Sequence, residues 1–281
     1  MSARYRVACL QMECAVGEPS RNIATAVRLA RSAARAGARL LVLPELCNSG
    51  YVLASRAEAH ALAEPVPDGP ASSAFLEVCR ETGAYLVAGL AERDGADLYS
   101  SAVLYGPDGH LGTYRKLHLW NTENLYFEPG DLGVRVVHTE IGRIGLAVCY
   151  DAWFPETFRA LAAQRADLVA MPVNWVRGPG DAEGSHPAGV TLAIAAATCN
   201  GMSIAVADRV GEERGQRFLG ASTLVGPRGQ LLAPLAGDTD EQVVAAEIDL
   251  EAIRSARTWS PYNHLMHDRR TDVYGPLPTG R

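Results

Sequence analysis

The chain has 281 residues, 48% of them apolar and 21% charged, with a formal net charge of −6. That is the balance of an ordinary soluble protein with room for a large core, and the acidic excess argues against nucleic acid or an anionic membrane as the main partner. No stretch reaches the ~18 consecutive apolar residues of a membrane span, and MSARYRVACLQME has no apolar core of a secretory leader, so a cytoplasmic location is expected.

Strands and helices alternate from the start. YRVACLQM (5–12) reads as a buried strand. Pro19-Ser20 opens a helix carrying Ile23, Val27, Ala30 and Ala34 at spacings of three and four, closed by Gly37. LLVLP (40–44) is a short continuous apolar run, as expected of a strand covered on both faces. A helix over about 71–82 ends at Gly83, and AYLVAGL (84–90) follows as a strand. Then LYSSAVLYG-PDG-HLGTYRKL reads as a hairpin, and VRVVHTEIGRIGLAVC (134–149) as a second. A helix begins near Pro155, DLVAMPV (167–173) is a strand, a helix runs over about 186–200, and MSIAVAD (202–208) is a strand. A third hairpin, ASTLVGPRGQLLAP, precedes QVVAAEIDL and a short helix ending near Arg257.

No low-complexity linker divides the chain, and GDAEGSHP (180–187) is its most loop-like insert. One domain spanning 1–281 is expected, with 258–281 as a C-terminal tail. Strand–helix units mixed with hairpins imply mixed sheets, and continuous apolar strands need helices over them. Two packed sheets with helices outside meet both demands, and the two halves read as a loose internal duplication.

Three apolar strands end in a reactive residue: LLVLPE at Glu45, GTYRK at Lys116 and IGLAVC at Cys149. Side chains just past strand carboxyl ends line the crevice of an α/β fold. If these three strands are neighbours, a carboxylate, an ammonium and a thiol meet at one rim. Glu45 is then placed to deprotonate Cys149, and Lys116 favours the thiolate. The thiolate attacks a carbonyl or nitrile carbon, with Lys116 and the Tyr150 backbone N–H holding the developing negative charge.

PELCNSGY, YRKLHLWNTE, CYDAWFPE, MPVNW and ADRVGEERGQRFLGAS together resemble the nitrilase, or carbon–nitrogen hydrolase, superfamily along the whole chain. The resemblance implies a four-layer αββα sandwich of two mixed sheets flanked by helices. It implies a Glu45–Lys116–Cys149 triad with no cofactor, and a second glutamate, Glu123, orienting Lys116 and the substrate nitrogen. It also implies a homodimer, or higher homo-oligomer, formed through the helices near 155–165 and 186–200, with the tail at the subunit interface. Two departures stand out. AAATCN places Ala196 and Cys199 where many members carry Arg and Glu, and Tyr150-Asp151 follows the cysteine where nitrilases commonly have Trp-Glu. The second departure favours a small linear amide, or an N-carbamoyl compound, over a nitrile.

Tyr51, Trp153, Trp175 and Tyr126 lie just after reactive strand ends, either as core aromatics or as walls of a substrate pocket. Asn174 in the same region would bond a polar substrate group, so Tyr51, Tyr150, Trp153, Asn174 and Trp175 are the candidate binding residues. His118, two residues from Lys116, offers a rival Cys–His pair. His264 and His267 lack a clear third ligand, so no metal is expected. The rival functions are N-carbamoyl hydrolase, nitrilase, acyltransferase using the same thioester, and a non-catalytic ligand sensor.

Overall fold

The computed structural model describes residues 4–178 and 186–274. The first half builds β1 (Arg4–Glu13), α1 (Pro19–Arg35), β2 (Ala38–Val42), α2 (Arg56–Leu62), α3 (Pro70–Thr82), β3 (Tyr85–Asp94), β4 (Asp97–Gly106) and β5 (Gly109–Arg115). The second builds β6 (Val136–Thr139), β7 (Gly142–Leu146), α4 (Pro155–Ala163), β8 (Leu168–Pro172), α5 (Ala188–Asn200) and β9 (Ser203–Ala207). After these come β10 (Arg209–Val210), β11 (Glu212–Glu213), β12 (Gln216–Arg217), β13 (Thr223–Val225), β14 (Gln242–Asp249), α6 (Leu250–Ser255), β15 (Thr258–Ser260) and β16 (Asn263–His264).

Two mixed sheets result. In the first, β1, β2 and β3 are parallel, β4 and β5 continue antiparallel, and β14 lies antiparallel on the outer side of β1. In the second, β7, β8 and β9 are parallel, with β13 and β6 antiparallel at the two edges. Each sheet thus centres on three parallel strands flanked by antiparallel ones, and in the first the two-residue β10 also pairs parallel with the end of β1.

Side chains alternate across a strand, so a strand buried on both faces splits its apolar residues between two cores. Along β1, Tyr5, Val7 and Cys9 join the core shared with the second sheet, while Ala8, Leu10 and Met12 join the one under α1 and α3. Leu40 and Val42 of β2 take the shared face, and Leu41 and Leu43 the helical face. The sheets meet where β1 packs on β9, and β2 and β3 on β8. A β-carbon at Gly145 would touch Leu161 of α4, which places that helix on the far side of the second sheet. The order of layers is helix, sheet, sheet, helix.

Three boundaries differ from expectation. Ser55 accepts a hydrogen bond from the Glu58 N–H at 3.1 Å and starts α2, a helix too short to show periodicity. In α1 the buried stripe is Asn22, Ala26, Leu29, Ala30 and Ala33, turned away from Ile23 and Val27, which sit at its edge. The third hairpin is reduced to β13 and a single bridge between Val225 and Leu231, because the chain then crosses to pair β14 with β1. Residues 180–185 of the loop-like insert and 275–281 of the tail lie outside the described residues.

Candidate active site

Glu45 follows β2 in a turn pressed against the middle of β3. The Gly89 N–H donates to the Pro44 carbonyl at 3.1 Å, and the Cys47 N–H to the Gly89 carbonyl at 2.8 Å. Leu46, next to Glu45, has φ +48°, a left-handed conformation costly for a residue with a β-carbon. The second sheet reaches the same turn. The Glu45 N–H donates to the Val173 carbonyl at 3.4 Å, and Asn174 Nδ2 to the Glu45 carbonyl at 2.9 Å.

Lys116 sits one residue beyond β5, held by its N–H on the Ser100 carbonyl and its carbonyl on the Gly130 N–H, both at 2.8 Å. Its Nζ donates to Glu45 Oε1 at 2.7 Å and lies 2.7 Å from Glu123 Oε2 and 2.8 Å from Glu123 Oε1. Lys116 and Glu45 are fully buried, and Glu123 nearly so. A buried ammonium needs such pairing. Glu123 is itself fixed by the Tyr51 hydroxyl, which donates to Oε1 at 2.6 Å, and by the Trp120 N–H on Oε2 at 3.0 Å.

Cys149 opens a short 3₁₀ turn, Cys149–Trp153, at the end of the second sheet, with φ +43°. The turn is pinned by Asp151, which is wholly buried. Asp151 Oδ2 accepts the Val148 N–H at 2.9 Å and the Tyr114 hydroxyl at 2.7 Å, and Oδ1 accepts the His118 N–H at 3.2 Å. His118 Nδ1 is 2.8 Å from the same oxygen, and its ring stacks on Phe154 at 3.5 Å. His118 is therefore engaged with Asp151, and the carboxyl neighbouring the sulfur is that of Glu45.

The electrostatics follow from burial. Desolvation, with Glu123 adding to it and Lys116 opposing, pushes the Glu45 carboxyl up to about 7. Desolvation and the Glu45 carboxylate raise the Cys149 thiol well above its ordinary value, against Lys116 and the Asn174 backbone N–H. Burial opposes the Lys116 charge, but Glu123 and Glu45 outweigh it and hold the lysine protonated. Lys116 favours the thiolate, as expected, but burial and the Glu45 and Glu123 carboxylates outweigh it and raise the thiol. Among the described residues Glu45 Oε2 is buried without a nitrogen or oxygen hydrogen-bond partner, and the Cys149 thiol neighbours the Glu45 carboxyl.

Among the candidate binding residues, Tyr51 meets Glu123 directly. Asn174 and Trp175 are buried, and Asn174 Oδ1 and Trp175 Nε1 have no hydrogen-bond partner among the described residues. The Trp175 indole packs on Gly189, where a β-carbon would come within 2.3 Å of the ring. Tyr150 tilts on Trp153 at 5.5 Å and meets Phe154 edge-on at 5.3 Å; Trp153 is 40% exposed, the most accessible of the five. The Tyr126 carbonyl accepts Arg56. His264 and His267 stack on each other in the C-terminal hairpin.

Sequence reasoning missed Asp151 as an anchor and Ser100, whose hydroxyl donates to Glu45 Oε1 at 3.2 Å. Asp151 carried a signal, since an acid two residues past a buried strand must find partners. Ser100 carried none within its strand.

The family model for carbon–nitrogen hydrolase matches residues 6–258. The chain belongs to the carbon–nitrogen hydrolase family. Within it, the chain is 40% identical over 269 residues to a nitrilase of Pyrococcus abyssi, covering 96% of this chain and 98% of that one. It is 34% identical over 289 residues to an N-carbamoylputrescine amidase of Solanum lycopersicum, covering 97% and 94%. A carbon–nitrogen hydrolase from Helicobacter pylori G27 shares its fold with a TM-score of 0.87 at 29% identity, covering 99% of both chains. The mixed sheets and flanking helices are those of this family, and the chain is a carbon–nitrogen hydrolase.

Proposed function

We propose that this carbon–nitrogen hydrolase cleaves a small linear amide through a thioester on Cys149. The observation that carries the reading is the buried Lys116 ammonium, shared by Glu45 and Glu123 beside a cysteine on a left-handed turn.

Glu45 takes the Cys149 proton and the sulfur adds to the amide carbonyl. The electron pair displaced onto oxygen is held by the Lys116 ammonium and the Tyr150 N–H. Glu45 gives its proton to the nitrogen, the C–N bond breaks, and ammonia or an amine leaves. Water then enters, gives a proton to Glu45 and attacks the thioester carbonyl. The C–S bond breaks, the sulfur recovers the proton, and a carboxylic acid departs. Glu123, fixed by Tyr51, aligns Lys116 and faces the leaving nitrogen. No step calls for a cofactor. Asn174 Oδ1 and Trp175 Nε1, buried and without partners among the described residues, supply an acceptor and a donor for substrate groups.

A second reading is hydrolysis of an N-carbamoyl amine, favoured by relatives named N-carbamoylputrescine amidase. Incubation with a panel of amides, matched nitriles and N-carbamoyl amines separates the cases. Ammonia alone from an amide supports the first reading, and ammonia with carbon dioxide from a carbamoyl compound the second. Turnover of the nitrile but not its amide would overturn both.

The chain is also proposed to act as a single domain in a homodimer. An apolar groove between α4 and α5 is lined by Phe158, Leu192, Ala196, Leu265 and Tyr274. Apolar residues surround α5 on all sides, and Leu192 and Ile194 remain only partly buried. The adjoining tail exposes Trp259, Tyr262 and Tyr274. A second copy covering this face would account for all three features. The six cysteines are free thiols, in keeping with a reducing, cytoplasmic setting.

A further inference from the structure

The segment from Arg209 to Phe218 has no part in the proton and acyl transfers, yet it closes on the turn that carries Tyr51. Glu213 is nearly buried, and one oxygen, Oε2, accepts both the Tyr51 N–H at 2.9 Å and the Val52 N–H at 2.8 Å. Its other oxygen is 3.0 Å from Nη1 of Arg209, itself almost fully buried. Arg209 also donates to the Cys14 carbonyl, and its guanidinium lies 4.0 Å over the Phe218 ring. Phe218 in turn meets the Tyr51 ring edge-on at 5.9 Å. The β11–β12 hairpin grips the following residues too, with Arg214 Nη1 on the Val52 carbonyl at 2.8 Å and a bidentate pair to Glu58. Gly50 lets the turn come this close: its φ is +82°, and a β-carbon would fall 2.5 Å from Val16 Cα and 2.6 Å from Glu213 Oε1.

We infer that Glu213 is a positioning residue for the reaction, acting through Tyr51 on Glu123 and so on Lys116. The inference rests on the amide-hydrolase reading above. Backbone and ring of Tyr51 are fixed from one side by Glu213 and Phe218, which leaves its hydroxyl a single direction, toward Glu123 at 2.6 Å. Without Glu213 the turn keeps its sequence but loses both N–H acceptors. Tyr51 then swings, Glu123 loses a donor, and the ammonium is no longer aimed at the carbonyl oxygen. A displacement of about 1 Å at such a group costs on the order of 100-fold in rate.

The test compares the parent with Glu213→Ala, Gly50→Ala, Tyr51→Phe and the Glu213→Ala/Tyr51→Phe pair. Each is assayed for ammonia release from propionamide, and crystal structures of the first two variants are determined. Gly50→Ala is included because it displaces the turn while keeping the Glu213 carboxylate in the chain. Expected are a ~10- to 100-fold fall in kcat with KM little changed, a Tyr51 hydroxyl no longer on Glu123, and no further loss from Glu213→Ala once Tyr51 is Phe. Tyr51 still bonded to Glu123 in both variant structures, or an equal loss from Glu213→Ala in both backgrounds, would overturn the inference. A parent inactive on propionamide and on longer amides would count against the amide reading instead, and the variant structures would still decide the role of Glu213.

Discussion

A β-carbon added to Gly89 would lie 2.4 Å from the α-carbon of Glu45 and 2.5 Å from the Pro44 carbonyl oxygen. The missing side chain in the middle of β3 is what allows the Glu45 turn to settle on the strand. Gly89→Ala is expected to displace Glu45 from Lys116 and lower kcat by ~100-fold or more. Comparing turnover with the thermal midpoint checks this, because the atoms struck are backbone and cannot swing aside. Unchanged turnover would show that Glu45 need not be held so closely.

The pH dependence follows from the shared lysine. As the proposed base, Glu45 works only when ionised, and its carboxyl is raised to about 7. Activity should therefore climb with pH through about 7. Glu123 is one of the groups that raise Glu45, so Glu123→Gln removes a neighbouring negative charge and lowers the Glu45 pKa. The rising limb of kcat/KM should move to more acidic pH, with a lower plateau because Lys116 loses a partner. A limb that stays in place or moves alkaline would assign the ascending pKa to another group.

Asp151 holds the Cys149 turn by accepting from the Val148 N–H, the Tyr114 hydroxyl and His118. Asp151→Asn keeps the shape but turns one acceptor into a donor facing other donors. Rate loss of ~10²-fold is expected, with slower alkylation of Cys149 by iodoacetamide. His118→Ala, which removes only the ring contact and leaves the Val148 N–H, the Tyr114 hydroxyl and the backbone N–H of residue 118 on Asp151, should cost markedly less. If His118→Ala instead matched Cys149→Ala, the cysteine–histidine pairing would return.

Away from the site, Asp167 is buried between Arg254 and Arg143. Burial works against its charge, but the two guanidiniums prevail and lower its pKa from 3.8 to about 2. A carboxyl lowered on folding stabilises the protein above its unfolded pKa and loses that contribution as pH falls through the folded value. Asp167→Asn should cost on the order of 2 kcal/mol near neutral pH, with the deficit shrinking between about pH 4 and pH 2. Urea titrations across that range measure it.

Much of this was legible in the sequence because apolar runs such as LLVLP and IGLAVC name both a strand and what stands at its end. The layer order followed from strands buried on both faces. The turns at Leu46, Asn121 and Cys149 were not legible, since none carries the glycine that usually marks a left-handed residue. Tertiary contacts impose those conformations. The balance of charges at Cys149 was not legible for a related reason. The net field of one ammonium and two carboxylates depends on distances between strands, which no linear pattern records.

The account depends most on Cys149 being the atom that bonds the substrate carbon. Peptide mapping of the parent and of Glu45→Gln after fluoroacetamide, a small amide with a displaceable fluoride, tests it most directly. The expected result is an acetamide unit on the Cys149 sulfur of the parent, forming more slowly in Glu45→Gln, which lacks the base, with the exposed Cys199 unmodified. Modification confined to Cys199 or another residue, with Cys149 bare in both proteins, would contradict it.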